Sequence, residues 1–344
     1  MRVLCINTGS SSLKWALFDG EQAVQQGRTA ELASRQQFEA ALTAALGQLQ
    51  PPQAIAHRIV APNTAWPAPR RIEPGLETEL HDLVPLAPDH LPQALAAIQA
   101  ARSAFACLPQ LACSDSSFHR TLPPAARQLA LPQAWRQRGL ARYGYHGLSC
   151  ESVLAGLCAE GTLPARILIA HLGNGCSVTA VREGRSVETT MGFSPLSGLV
   201  MSTRSGDLDP AILIYLLQEC GASATSLRAM LNHESGLSGV SGISGDMQTL
   251  LADPHPEAAA AVELFVYTVR KHLGALAAVL GGVDLLVFTG GIGEHAASIR
   301  ARICTGMDWL APAGALAVRV APAREELMMA RHAAAALAGP EEET

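Results

Sequence analysis

The chain opens MRVLCINTGSSSLKWALFDG (residues 1–20). Within it RVLCIN (2–7) and LKWALF (13–18) are short apolar or β-rich runs bounded by turn residues, so each is predicted as a strand and TGSSS as the hairpin loop between them. A phosphate loop of the G-x-x-x-x-G-K-[ST] type joins a strand to a helix, whereas GSSSLK lacks the second glycine and continues as a strand. What remains is a hairpin turn whose N–H and hydroxyl groups can still hold phosphate. The plan recurs in the other half of the chain. ILIAHLGNGCSVTAVREG (167–184) again runs apolar strand, tight Gly/Asn turn, second strand, acidic residue and glycine, which points to two copies of a hairpin-led domain.

Length agrees with two copies. At 344 residues the chain exceeds what one core usually organises, and two domains of roughly 150–200 residues are expected. Helical periodicity over 38–49, 91–107 and 256–280, with strands over 55–60, 166–171, 177–182 and 284–289, makes the class mixed α/β. The FTGGIGEH stretch (288–295) adds a Gly-rich turn between a strand and a helix, where backbone N–H groups favour an anion.

Composition narrows the partners. The chain is 49% hydrophobic and 16% charged with net charge -5, a balance that gives no reason to expect nucleic acid or an anionic membrane. A small molecule is the default partner. Basic residues are almost all arginine, Lys14 and Lys271 being the only lysines. The eight cysteines show no C-x-x-C or metal-ligand spacing and read as reduced thiols. No signal peptide is expected, because only four residues separate Arg2 from Asn7. The apolar run 273–288 contains paired glycines and Asp284 and reads as a buried helix passing into a strand. A cytoplasmic protein is expected.

Polar residues in apolar surroundings are the candidates for chemistry. They are Arg58 in IAHRIV, His90 in LAPDHLP, Asp115 and His119 in CSDSSFHRTLP, His146 in RYGYHG, His171 in AHLGNG, and Arg204, Asp207 and Asp209 in MSTRSGDLDP. Each sits at the end of a strand-like run or in a Gly/Pro-punctuated turn, where functional side chains concentrate. With so few lysines, the arginines must bear most anion binding.

Taken in order, the N-x-G-S-S-S-x-K hairpin (7–14), FHRTLP (118–123), RYGYHG (142–147), AHLGNGCS (170–177), MGFSPLSGLVMSTRSGDLDP (191–210) and FTGGIGE (288–294) resemble the acetate kinase family over nearly the whole chain. The resemblance implies an actin- and ribonuclease H-like fold of two related α/β domains, each with a mixed five-stranded sheet, around a nucleotide cleft. It implies domain limits of 1–117 plus a returning 327–344, and 118–326. It also implies a homodimer that transfers the γ-phosphoryl of ATP to acetate, reversibly, with Mg2+ or Mn2+. By motif position, Asn7 and Glu325 would hold the metal, Arg58 and Arg204 would flank the transferred phosphoryl with His146, and Asp115 would be the essential carboxylate with His90 nearby. Ser10, Ser12 and Lys14 match the family's first hairpin. His171, Gly173, Asn174 and Gly175, together with Gly291, Gly293, Glu294 and His295, match its phosphate and nucleotide loops. Asp246 lies in the segment that reaches the nucleoside. ADP and acetyl phosphate are the implied products.

The chemistry accounts for these residue types. A small carboxylate is ionised at pH 7, so no strong base is needed to make the nucleophile. The obstacle is charge, and two guanidiniums with a metal meet it, which gives Asp115 a positioning or metal-water role. The chain departs from the family pattern in four ways. HRIVAPN replaces a His-Gly-Gly turn after the arginine. In the acyl pocket otherwise walled by Val60 and Pro195, Asp89 replaces an apolar residue and Tyr145 replaces Phe. Gln248 replaces an arginine near the adenine, and the chain is some tens of residues shorter than usual. Propionate or another short-chain acid is the alternative substrate. A non-catalytic nucleotide switch and a sugar kinase on the same fold are rivals of other kinds, disfavoured by the full set Arg58, Asp115 and Arg204.

Overall fold

The computed structural model describes residues 1–9, 12–29, 35–47, 49–62, 66–312 and 314–338, with backbone alone at 35, 36, 38 and 39. The chain forms two compact units: one of Met1–Arg120, Gly147–Ser152 and the chain from Arg324, the other of Thr121–His146 and Val153–Ala323.

In the first unit the strands are β1 (Arg2–Thr8), β2 (Leu13–Asp19), β3 (Gln22–Thr29), β4 (Ala54–Ile59), β5 (Arg70–Arg71) and β6 (Gln110–Ser114), in the order β3-β2-β1-β4-β6-β5. β1 is antiparallel to β2 and parallel to β4, and β4 is parallel to β6. Alternation along β1 divides two faces. Leu4 and Ile6 join Leu13, Leu17, Leu42, Ile55, Ala97 and Ala101 in a core beneath the helices Arg35–Leu46 and Leu91–Ala104. The opposite face carries Asn7, which bonds to the start of the helix Glu325–Ala338. With both faces covered, β1 is buried from Val3 onward, which is why its sequence reads as a continuous apolar run.

The second unit repeats the plan with β7 (Arg166–Leu172), β8 (Cys176–Arg182), β9 (Arg185–Thr189), β10 (Leu285–Thr289) and β11 (Val318–Val320), ordered β11-β10-β7-β8-β9. Each sheet is a three-stranded antiparallel meander extended by parallel strands, and the first adds the two-residue β5 at its edge. The correspondence reaches detail. The register shifts at Leu17/Phe18 in the β2–β3 pair and at Ala180/Val181 in the β8–β9 pair, so both copies bend the second strand. The two hairpins read from the sequence are the founding hairpins of the two sheets.

The helix Pro256–Leu280 has the bounds its periodicity predicts: proline at the first position, and Gly281 at φ 73° ending it in the left-handed conformation. It buries Phe265, Val269, Leu273 and Leu276 and packs on β8. The helix expected at 38–49 lies at Arg35–Leu46. Among the described residues no helix is long and apolar enough to cross a membrane.

One core residue gives a pH-dependent stability. His57, 1% exposed on β4, pairs its Nε2 with Gln110 Oε1 at 2.7 Å, and Gln110 donates onward to the Ile98 carbonyl. Burial pushes its pKa down from the ordinary histidine value of 6.5 to about 4, against a partial rise from the Gln110 hydrogen bond. The unfolded chain therefore binds the extra proton first, and stability falls as pH drops from 6.5 to about 4. Urea denaturation across that window should show a loss of up to ~3 kcal/mol from this residue. His57→Gln should flatten that part of the profile, and an unchanged slope in the variant would remove His57 as its source.

Candidate active site

Three neighbouring parallel strands of the first unit, β1, β4 and β6, each bring one polar side chain to their carboxyl ends, the edge of an open α/β sheet where ligands bind. These are Asn7, Arg58 and Asp115, the last just beyond β6 and tied by its N–H to the Ile59 carbonyl at 2.9 Å. The helix Glu325–Ala338 adds two carboxylates in its first turn, where the helix dipole favours negative charge. Arg58 Nη2 donates to Asp115 Oδ2 at 2.7 Å, and Arg58 Nη1 donates to Asn7 Oδ1 at 3.1 Å and lies 3.3 Å from Glu325 Oε2. Asn7 Nδ2 in turn donates to Glu325 Oε2 at 2.8 Å and Glu326 Oε1 at 2.7 Å. The structure thus brings Asn7, Arg58, Asp115 and Glu325 into one hydrogen-bonded cluster.

Its electrostatics follow from burial. Asp115 is fully buried, and the Arg58 side chain is only 13% exposed. Burial alone would lower the arginine's proton affinity, but the Asp115, Glu325 and Glu326 charges outweigh it and hold the guanidinium well above its usual range. Three carboxylates against one guanidinium leave an excess of negative charge beside the Asn7 amide. That all-oxygen, anionic set fits a hard divalent cation such as Mg2+, which uses one or two carboxylates and keeps several waters. Among the described residues no group of three His, Cys, Asp or Glu makes a ready metal cage.

In the same unit, Val60 is buried just past β4, and Asp89 and His90 are half-buried at the start of the helix Leu91–Ala104, with His90 in the N-cap position. Lys14 is exposed on β2 directly opposite Asn7, hence on the same sheet face. The hairpin turn is closed by the Gly9 N–H donating to the Ser12 carbonyl at 2.8 Å, while Ser10 lies outside the described residues. Gly147 donates to the Asp115 carbonyl at 2.8 Å and comes so close that a Cβ would lie 2.4 Å from that oxygen.

The second unit gathers its own set at the corresponding sheet edge. His146 is 8% exposed and adopts φ 61°, ψ 26°, a left-handed conformation uncommon for a residue with a side chain and concentrated at functional sites. Its ring stacks on His171, with centroids 4.0 Å apart and planes at 22°. Gly175 lies beneath: a Cβ there would meet His146 Nε2 at 3.2 Å and Arg204 Nη1 at 3.6 Å. Two nitrogens thus converge on the bare face of one glycine. Arg204 is anchored by the Pro195 carbonyl at 3.2 Å, and the Asn174 carbonyl receives the Ser202 N–H, which ties the two loops together.

Several expected nucleotide contacts have internal partners. Asp246 caps the helix Met247–Ala252 through the Thr249 N–H at 2.8 Å, and Gln248 is exposed on that helix. Glu294 Oε1 accepts from the N–H groups of Gly290 and Ala323 and so braces its loop. Gly291 N lies 3.7 Å from a Cβ position on Gly173, Gly293 is buried, and His295 is exposed at the end of its helix. Tyr145 is buried and gives its hydroxyl to the Phe193 carbonyl at 2.7 Å, so the oxygen that replaces a phenyl hydrogen is spent on backbone. Sequence reasoning missed Glu326, the neighbour of Glu325, and Ser177, the last residue of AHLGNGCS.

Breaking the buried ion pair should be costly. Arg58→Ala leaves the Asp115 carboxylate buried without its cation, and urea unfolding should show about 3–5 kcal/mol of destabilisation. The double variant Arg58→Met, Asp115→Leu should recover most of it. A small loss in Arg58→Ala would mean that water replaces the guanidinium.

Known proteins share this fold. A family model described as the acetokinase family matches residues 39–322. The chain is 37% identical to an acetate kinase of Rhodopseudomonas palustris (strain ATCC BAA-98 / CGA009) over 385 aligned positions, covering 96% of this chain and 97% of the relative. That span exceeds the chain's own 344 residues, so the relative carries segments absent here. An acetate kinase of Methylocella silvestris is 43% identical over 303 positions, 83% of this chain and 75% of that one. Among solved structures, Porphyromonas gingivalis acetate kinase superposes with a TM-score of 0.85 at 28% identity over 98% and 99% of the two chains. A propionate kinase from Francisella tularensis reaches 0.86 at 31% identity over 96% and 98%. With the match spanning most of its length, the chain belongs to the acetokinase family.

Proposed function

We propose that the chain is an ATP-dependent acetate kinase that transfers the γ-phosphoryl of ATP reversibly to acetate, giving acetyl phosphate and ADP. The observation that carries this reading is Arg58, buried among Asp115, Glu325 and Asn7 in a chain of this family. A pre-oriented guanidinium has the shape and charge to meet equatorial phosphoryl oxygens.

The acetate oxygen attacks the γ-phosphorus, an O–P bond forms, and the bond to the ADP oxygen breaks. No proton moves, because the acid is already ionised. Asp115 orients Arg58 through the 2.7 Å bond rather than taking a proton. Arg204 and the His146 Nε2 edge, converging on Gly175, donate to the developing charge. His171 holds the His146 ring plane by stacking. Asn7 and Glu325, with Glu326 beside them, would hold Mg2+, which supplies charge neutralisation of the nucleotide phosphates when bound. Propionate is a second reading, favoured by the similarity to the Francisella tularensis propionate kinase.

We place the enzyme in the cytoplasm, where eight free cysteines remain reduced. Its working state is a homodimer. The helix Pro210–Glu219 buries none of its residues and exposes Ile212, Ile214, Tyr215 and Leu217, the last three between 45% and 58% accessible. Such an apolar helix calls for cover, and a second copy of the chain provides it.

Two measurements test these assignments. Trapping acyl phosphate with hydroxylamine across acetate, propionate, butyrate and hydroxy acids should give the highest kcat/KM with acetate, and Arg204→Ala should lower kcat by about 10³-fold. Acetate ranking last would overturn the substrate, and no signal with any acid would overturn the activity. Light scattering should find wild type dimeric and Ile214→Asp with Tyr215→Ser monomeric, whereas a dimeric variant would move the interface elsewhere.

A further inference from the structure

His146 enters the proposed reaction through one ring edge, so what selects that edge matters. Stacking on His171 at 4.0 Å fixes the plane of the ring but leaves a half-turn about Cβ–Cγ, which exchanges Nδ1 with Cδ2 and Nε2 with Cε1. Nε2 and Cε1 both face Gly175, at 3.2 and 3.4 Å from a Cβ position there. The opposite edge distinguishes the two orientations. Nδ1 lies 2.9 Å from the Oγ of Ser177.

Ser177 is fully buried on β8, directly across the ladder from His171 and on the same face. One strand pair therefore carries both groups that hold His146: the imidazole beneath its plane and the hydroxyl at its edge. Among the described residues the Ser177 hydroxyl pairs with His146 Nδ1. If Nδ1–H donated to Ser177, the buried serine hydrogen would need another acceptor. If Ser177 donates, its hydrogen is satisfied and the ring proton lies on Nε2. In that arrangement the edge facing Gly175 and Arg204 Nη1 is an N–H donor, matched to an anion.

We propose that Ser177 is a positioning residue for the phosphoryl transfer: it donates to His146 Nδ1, fixes the ring flip and places the proton on Nε2. The inference rests on the kinase reading, because it is the transferred phosphoryl that the Nε2–H meets. Without the hydroxyl, His146 samples the flipped ring and the other tautomer, and the donor is present only part of the time. Substrate binding through other groups persists.

The test uses the full-length chain as wild type, Ser177→Ala and Ser177→Thr, with imidazole 15N spectra in which His146 is assigned by its loss in His146→Gln. Wild type should show an unprotonated Nδ1 and a protonated Nε2. Ser177→Ala should disturb that pattern and lower kcat by about 10–100-fold, the usual cost of losing a group that orients a functional imidazole. Both KM values should stay within about threefold, a split expected when an interaction is made only in the transition state. Ser177→Thr, which keeps the hydroxyl, should restore kcat. A protonated Nδ1 in wild type overturns the proposal even if Ser177→Ala does not fold. Equal kcat in wild type and Ser177→Ala, or a threonine variant as slow as the alanine one, also overturns it. Wild type that forms no acyl phosphate with any acid refutes the kinase reading, while the nitrogen spectra still report on the ring.

Discussion

Arg58 is a buried cation whose position is set by three strands at once. A guanidinium in that setting is tolerable only if carboxylates surround it, and Asp115 and Glu325 are equally dependent on it, being 0% and 8% exposed at the side chain. The pairing therefore constrains the fold as well as the chemistry. His57 and Arg58 are neighbours on β4 that point to opposite faces, one toward the helix Leu91–Ala104 and the other toward Asn7. A register slip of one residue would exchange them, driving the guanidinium into the aliphatic core that contains Leu4, Ile55 and Ala97. Few single interactions could fix a β-register so strongly.

The same position in the two sheets has been put to different uses. Asn7 and His171 are each the last residue but one of the founding strand, facing Lys14 and Ser177 across the hairpin. In the first unit the amide links two carboxylates to an arginine and makes an anionic cluster suited to a metal. In the second an imidazole offers a stacking surface, and the cross-strand hydroxyl orients another imidazole upon it. Shared backbone geometry supplies the placement, and the side chain decides the charge.

Legibility in the sequence followed burial. β1, β7 and β10 lie under helices and read as unbroken apolar runs. β3, QAVQQGRT, alternates exposed and half-buried residues, and all of β11 is exposed, so neither has an apolar signal to find. Arg58, Asp115, His146 and Arg204 stood out because each is polar among apolar or glycine-rich neighbours. Glu326 and Ser177 did not: a second glutamate beside Glu325 and a serine in a strand have no spacing that marks them, and only coordinates show their partners. Asp246 and Glu294 sit in nucleotide-loop segments, yet their visible bonds brace local backbone. A loop that must hold a ligand first has to hold itself.

The commitment of Asp115 bears on which reactions this fold can support. A kinase acting on an alcohol needs a group that takes the hydroxyl proton as the oxygen attacks. Here the candidate carboxylate is engaged at 2.7 Å by Arg58, and freeing it as a base would leave the guanidinium buried with one fewer counter-charge. An acceptor that arrives ionised removes that conflict, because Asp115 can keep Arg58 oriented throughout the transfer. The side-chain arrangement thus favours a carboxylate over a polyol on energetic grounds independent of pocket shape, and on a fold that hosts many activities it is the site, not the architecture, that makes the choice.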